Sequence, residues 1–159
     1  MDSQVNELEK KVLLRLQAQC SRREYCSSEM SAKALKALDG DEAAAARVME
    51  ALLRDKFVDD VRYAAAFARE KASLQGWGPV KIRYMLAAKG IARADIDAAL
   101  PEVDPEAADR RMEGLLQAKW RTLSDDPQGK LKLIRFALGR GYDYDRVRDV
   151  VERIVRQGE

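Results

Sequence analysis

Apolar side chains fall at helical spacing along most of this chain. Over 58–75, Tyr63, Ala64, Phe67 and Leu74 line up as one stripe, while Arg62 and Arg69 share another face. Over 79–89, Ile82, Met85 and Leu86 make one apolar face, matched over 127–139 by Leu133, Phe136 and Ala137. Helix starts are signalled by Gly78-Pro79, Asp104-Pro105 and Asp126-Pro127, each pairing a cap with proline at the first helical position. Stops are signalled by Gly40, Gly90 and Gly141, which can adopt the left-handed conformation after a last turn. Together these marks predict nine helices, at about 4–23, 27–38, 41–55, 58–75, 79–89, 93–100, 105–121, 127–139 and 143–156. Grouped by threes, they predict units at 4–55, 58–100 and 105–156. The expected fold is all-α, an elongated tandem array of three three-helix repeats.

A literal echo supports the grouping. The phrase KIRYMLAAKGI from Lys81 returns without a gap as KLIRFALGRGY from Lys132, 51 residues later. Lys81 falls on Lys132, Met85 on Phe136, Lys89 on Arg140 and Gly90 on Gly141, and further on Ile96 falls on Val147. A basic helix, a glycine and a second helix are thus used twice. SAKALKAL before Asp39-Gly40 reads as a fainter third use. Stacked units point equivalent residues the same way, so the paired bases predict a stripe along one face.

Composition narrows the class further. Alanine, leucine, lysine, arginine and glutamate dominate, as in an all-helical protein. No apolar stretch is long enough to span a bilayer, and the polar, acidic N-terminus does not read as a signal peptide, so the expected location is the cytoplasm, with no membrane partner. No heptad or large apolar patch predicts an obligate dimer, so a monomer is expected. The net charge of +2 conceals blocks. From Arg62 to Arg93 there are seven bases (Arg62, Arg69, Lys71, Lys81, Arg83, Lys89 and Arg93) against one acid, Glu70. From Pro127 to Tyr142 there are four (Lys130, Lys132, Arg135 and Arg140) against none. Ala94 to Asp109 holds six acids and no base. Positive blocks nearly free of acids fit an extended polyanion or an acidic protein surface.

Catalytic chemistry finds few parts. There is no histidine, and Cys20 and Cys26 lie six residues apart, outside any metal or redox spacing. No phosphate-cradling glycine loop is present. Asp95, Asp97, Glu102, Asp104, Glu106 and Asp109 are the residues a metal-dependent nuclease could draw on, but acids in a first helical turn are explained by the helix dipole. The chain is expected to be no enzyme and to need no cofactor or metal. Trp77, between glycines in GWGP, reads either as a stacking platform for a base or as a hinge packing two repeats. Trp120, Tyr63 and Tyr84 read as packing residues.

The run FVDDVRYAAAFAREK (Phe57–Lys71), then GWGPVKIRYMLAAKGI (Gly76–Ile91) and DIDAAL (Asp95–Leu100), closely resembles the central repeat of the RecX family. CSRREYCSSEMSAKAL (Cys20–Leu35) resembles the family's opening repeat, and the C-terminal echo its last. These are bacterial regulators of the RecA recombinase. The resemblance implies a bowed array that lodges in the groove of the RecA–single-stranded DNA filament and inhibits ATP hydrolysis, strand exchange and coprotease activity. By the same resemblance Asp60, Arg62, Tyr63, Ala64 and Phe67 match the central motif, most of them expected to hold the repeat together, and Trp77, Gly90 and Gly141 are expected as further structural residues of the repeats. Arg62, Arg69, Lys71, Lys81, Arg83 and Lys89 are then expected on the filament-facing side, with Arg93, Lys130, Lys132, Arg135 and Arg140 extending the basic stripe. This chain's acidic blocks depart from the strongly basic members and shift weight from free DNA toward the recombinase itself. The rival expectation is a helical DNA-binding module of helix-turn-helix type, although neither a dimerisation element nor a base-reading helix stands out.

Overall fold

The computed structural model describes residues 2–100 and 105–158, which form helices and connecting turns without a strand. The helices are α1 (Asp2–Cys20), α2 (Ser27–Ala37), α3 (Glu42–Arg54), α4 (Asp60–Gln75), α5 (Pro79–Ala88), α6 (Arg93–Ala99), α7 (Pro105–Leu123), α8 (Gly129–Gly139) and α9 (Tyr144–Gln157). Three of them begin on an aspartate whose side chain accepts a backbone N–H. Asp41 receives it from Ala44, Asp59 from Arg62 and Asp143 from Arg146. Each cap satisfies a donor that the first turn leaves without a partner. Gly78 and Pro79 open α5 as the sequence predicts.

Each trio of helices closes around its own core. Val12, Leu16, Met30, Val48 and Leu52 fill the first. Ala64, Ala68, Ile82, Leu86 and Ile96 fill the second. Met112, Leu116, Leu133, Val147 and Val151 fill the third. Burying one such leucine contributes about 1.5–3 kcal/mol, so each trio holds a modest core of its own. Exposed area follows from this division. The chain presents 10010 Å² to solvent, whereas a compact monomer of 17.9 kDa would present about 8,000 Å². The array is elongated.

Several sequence expectations are corrected. Leu74 is not part of the α4 stripe; it is 78% exposed. The buried line is Ala64, Ala68 and Ala72, spaced four apart, and Leu74 lies about 240° around the helix from Ala68. Small side chains there let α6 come close. Tyr84 is exposed rather than packed. Asp126-Pro127 does not open α8, which starts at Gly129. Asp126 instead accepts from the Gln128 N–H at 2.8 Å and pairs with Lys132. The cap expected at Asp104, like Glu102, lies outside the described residues.

The units meet through their second helices, arranged end to end. The Lys89 carbonyl, at the end of α5, accepts from the Ser28 hydroxyl at the start of α2. The Arg140 carbonyl, at the end of α8, accepts from the Gly78 N–H at the start of α5 (2.7 Å). Lys89 and Arg140 are the equivalent residues of the echo. The same carbonyl therefore joins each unit to the one before it, negative helix end to positive helix end.

Candidate functional site

The middle unit carries a row of aromatic rings beside its alanine line. Tyr63 and Phe67, one turn apart on α4, stack with centroids 6.1 Å apart. Phe67 then meets Trp77 edge-on at 6.2 Å. Trp77 is brought there by the left-handed turn at Gly76, after which its N–H bonds back to the Lys71 carbonyl. Trp77 packs on the second core, beside the junction with the third unit.

Three lysines converge on this row. The Lys81 ammonium lies 4.4 Å from the Trp77 ring centre, and Lys71 lies 5.1 Å from Trp77 and 5.4 Å from Phe67. Lys89 lies 5.8 Å from Phe67 and 5.9 Å from Tyr63. Each such contact is worth about 0.5–1 kcal/mol at an exposed site. Only Lys89 has an acid near, Glu29 at 3.8 Å. Lys71 and Lys81 have no acidic partner among the described residues, so their charge is available to an incoming anion.

The other predicted bases are placed differently. Arg62 turns into the first junction, where it binds Glu24 at 2.8 Å and the carbonyls of Lys56 and Phe57. Arg83 pairs with Asp97, and Lys132 with Asp126, each at 2.6 Å. Arg140 bonds the Gln75 carbonyl across the second junction (2.8 Å) and lies over Phe136. Arg69 is exposed on α4. Arg93, Lys130 and Arg135 are exposed with no ion pair among the described residues. Lys71, Lys81 and Lys89 are therefore brought together, while Arg62, Arg83 and Lys132 are each held by a carboxylate.

Asp60 does more than favour the start of α4. Its carboxylate accepts from the Ser27 N–H (2.7 Å) and hydroxyl (2.6 Å), capping α2 of the preceding unit. Nothing in the local pattern around Asp60 signals this partner 33 residues away. Gly78 and Gly141 were equally cryptic as a pair: a Cβ on Gly78 would run into the Gly141 carbonyl, and one on Gly141 into the Lys81 backbone. Ala64 sits fully buried at the centre of the second core, and Gly90 provides the turn against Ser28.

Acid–base chemistry finds little purchase here. Burial pushes the Cys20 and Cys26 thiols up, which favours the unreactive form. Burial also raises the Tyr63 phenol, with Glu29 and Cys26 adding to the effect. Asp126 is held below the usual carboxylate range by its hydrogen bond to Lys132 and by the Gln128 N–H. In the acidic block, Asp97 and Asp109 are engaged by Arg83 and Arg146. Among the described residues, no three acids, histidines or cysteines gather closely enough to share a metal ion. No helix of the described residues is long and apolar enough to cross a membrane.

Fold and site together define a class: a tandem array of three-helix repeats with a cation-rich aromatic row on its middle unit. Family models place it within that class. Residues 59–100 match the second three-helix domain of RecX, and residues 109–151 match the third. The chain belongs to the RecX family. A regulatory protein RecX of Pseudomonas putida is 30% identical over 128 residues, which cover 80% of each chain. One from Clostridium botulinum is 34% identical over 119 residues, covering 72% of this chain and 55% of the relative, so the chain spans about half the length of the clostridial relatives it matches. Among solved structures, RecX from Lactobacillus salivarius superposes with a TM-score of 0.84 at 20% identity, over 94% of this chain and 97% of the other. A second structure titled regulatory protein RecX gives 0.80 at 24% identity, over 91% and 73%. These two likenesses bear on the fold alone.

Proposed function

We propose that this chain is a cytoplasmic, monomeric regulator of the RecA recombinase. In this reading it lodges in the groove of the RecA–single-stranded DNA filament and lowers ATP hydrolysis, strand exchange and coprotease activity without catalysing a reaction itself. The observation that carries the reading is the match of two consecutive trios, in order, to two consecutive domains of one family whose curated members are named regulatory proteins. The aromatic–lysine row supports it physically. Ammoniums without acidic partners suit phosphate or carboxylate, and rings beside them suit a surface that mixes protein and nucleic acid. An elongated array also offers several units to a long partner at once.

The decisive measurement is DNA-dependent ATP hydrolysis by RecA with the chain added below stoichiometry. The rate should fall; an unchanged rate and filament lifetime would sink the proposal. Binding to one particular duplex operator instead would favour the helix-turn-helix reading. Within the filament reading, reversing charge at Lys81 and Lys132 together should weaken the effect more than reversing Arg153 and Arg156. Equal losses would mean that the repeated bases do not form the binding face.

A further inference from the structure

A second feature lies at the junction of the second and third units. The last turn of α4 and the middle of α7 flank an open groove of about 650 Å³. Its charged lining consists of Arg111 and Arg140, and none of the lining side chains is acidic. Arg111 has no ion-pair partner among the described residues. Arg140 gives one N–H to the Gln75 carbonyl, which engages one of a guanidinium's five donors. Both arginines also act on Tyr142, where their charge opposes the upward pull of burial on the phenol, so they share one locality.

The rest of the wall sets Ser73 and Gln75 beside the aliphatic Ala72, Leu74 and Leu115. Leu74 stands 78% exposed at the rim, with Leu115 half-buried behind it. Leu74 thus offers an open apolar contact beside two cations that no carboxylate compensates among the described residues. Gly114 supplies an independent indication. It sits in the interior of α7, where glycine is among the poorest choices. Packing does not require it, since a Cβ there would meet nothing within 4 Å. The space a side chain would fill belongs to the groove, so the α7 backbone is open to a chain lying there.

We propose that this groove binds an acidic, aliphatic peptide segment. Carboxylates of the segment engage Arg111 and Arg140, an aliphatic side chain rests on Leu74 and Leu115, and its main chain passes over Gly114. Guanidinium forks match carboxylates in two-point geometry. A nucleic-acid strand is the weaker fit, because the groove offers no aromatic ring on which a base could stack. The inference is independent of the recombinase reading, because its test contains no recombinase.

The probe is a fluorescein-labelled ten-residue peptide alternating Leu with Asp or Glu, titrated with the full chain and followed by fluorescence anisotropy. A lysine-for-acid version and a labelled oligothymidylate serve as comparators. The acidic peptide should bind, with an affinity that falls as salt rises, and the lysine version should not. Gly114→Leu should keep or raise the melting temperature, since leucine favours a helix over glycine, yet weaken binding at least tenfold by filling the floor. Arg111→Glu should weaken it by a similar factor, and Gly114→Ala, which adds one methyl, by much less. Absence of peptide binding, or equal binding by wild type, Gly114→Leu and Arg111→Glu, would overturn the proposal. So would tighter binding of oligothymidylate lost in the same two variants, which would make the groove a nucleic-acid site.

Discussion

The two junctions use the same carbonyl and hold it by opposite means. At the first, the Lys89 carbonyl is met by a side chain, Ser28, inside a polar network that also contains Ser27–Asp60 and Arg62–Glu24. At the second, the Arg140 carbonyl is met by a backbone N–H, and Val80 N–H follows onto the Gly141 carbonyl at 2.9 Å. Glycines on both sides permit that approach. A joint built from side chains tolerates variation, because each contact contributes a little and solvent can replace it. A joint built from main chain to main chain has no such latitude, since any Cβ stands where the partner already is. Repetition thus conserved a position in space and not the chemistry that occupies it.

Breaking the second joint should have the largest effect. In Gly141→Ala the new methyl meets the Lys81 backbone, and φ of +91° is a conformation alanine rarely adopts. Crowding and backbone strain together predict a loss of about 2–5 kcal/mol, read as a fall in melting temperature and lost hydrogen-exchange protection at the Gly78 and Val80 amides. Unchanged protection there would show that the joint is not backbone-held.

Asp60→Ala comes next. It strands the Ser27 N–H and hydroxyl at the first joint, for about 1–3 kcal/mol, and Asp60→Asn, which keeps one acceptor, should lose less. Denaturant unfolding separates the three proteins. Arg62→Ala removes a mostly exposed ion pair and should cost about 1 kcal/mol or less. The difference from wild type should shrink further in 1 M salt, whereas that of Gly141→Ala should not. If salt moves both equally, the two joints do not differ in kind.

The smallest effect is on pH dependence. Each joint holds a buried tyrosine, and burial raises the phenol of both Tyr63 and Tyr142. A raised folded-state value means that the neutral phenol contributes stability fully below the unfolded value of about 10, and that this contribution is lost as pH climbs through the folded value. At Tyr63, Glu29 and Cys26 add to the rise and Arg23 opposes it, whereas at Tyr142 two arginines, Arg111 and Arg140, oppose it and no acid adds to it. Phenolate absorbance should therefore appear at Tyr142 first, as tested with Tyr63→Phe and Tyr142→Phe; the reverse order would contradict the placement of the two arginines.

Much of this architecture is legible in the residues themselves. The echo from Lys81 to Lys132 identifies equivalent units, and Gly40, Gly90 and Gly141, all with positive φ, end the helices that precede them. Errors arose where local and tertiary demands diverge. Leu74 reads as core because it is large and apolar, yet α6 packs on the alanines and leaves it outside. Asp126 reads as a cap before proline, yet its carboxylate serves a turn and Lys132. The shared register of Lys89 and Arg140, which predicts a stripe, also places their backbones at the joints.

Helical class, repeat period and turn positions follow from the sequence alone, because periodicity, proline and glycine act through local backbone geometry. Sequence motifs likewise point to the family. Only tertiary structure decided which face of α4 is inside, that Asp60 caps a helix of the preceding unit, and that Gly78 and Gly141 meet. It also decided that Lys71, Lys81 and Lys89 share one aromatic row, while Arg111, Gly114 and Arg140 share a groove. The widest of those pairings, Gly78 with Gly141, joins residues 63 positions apart, and no local preference encodes a distance that exists only once separate units have stacked.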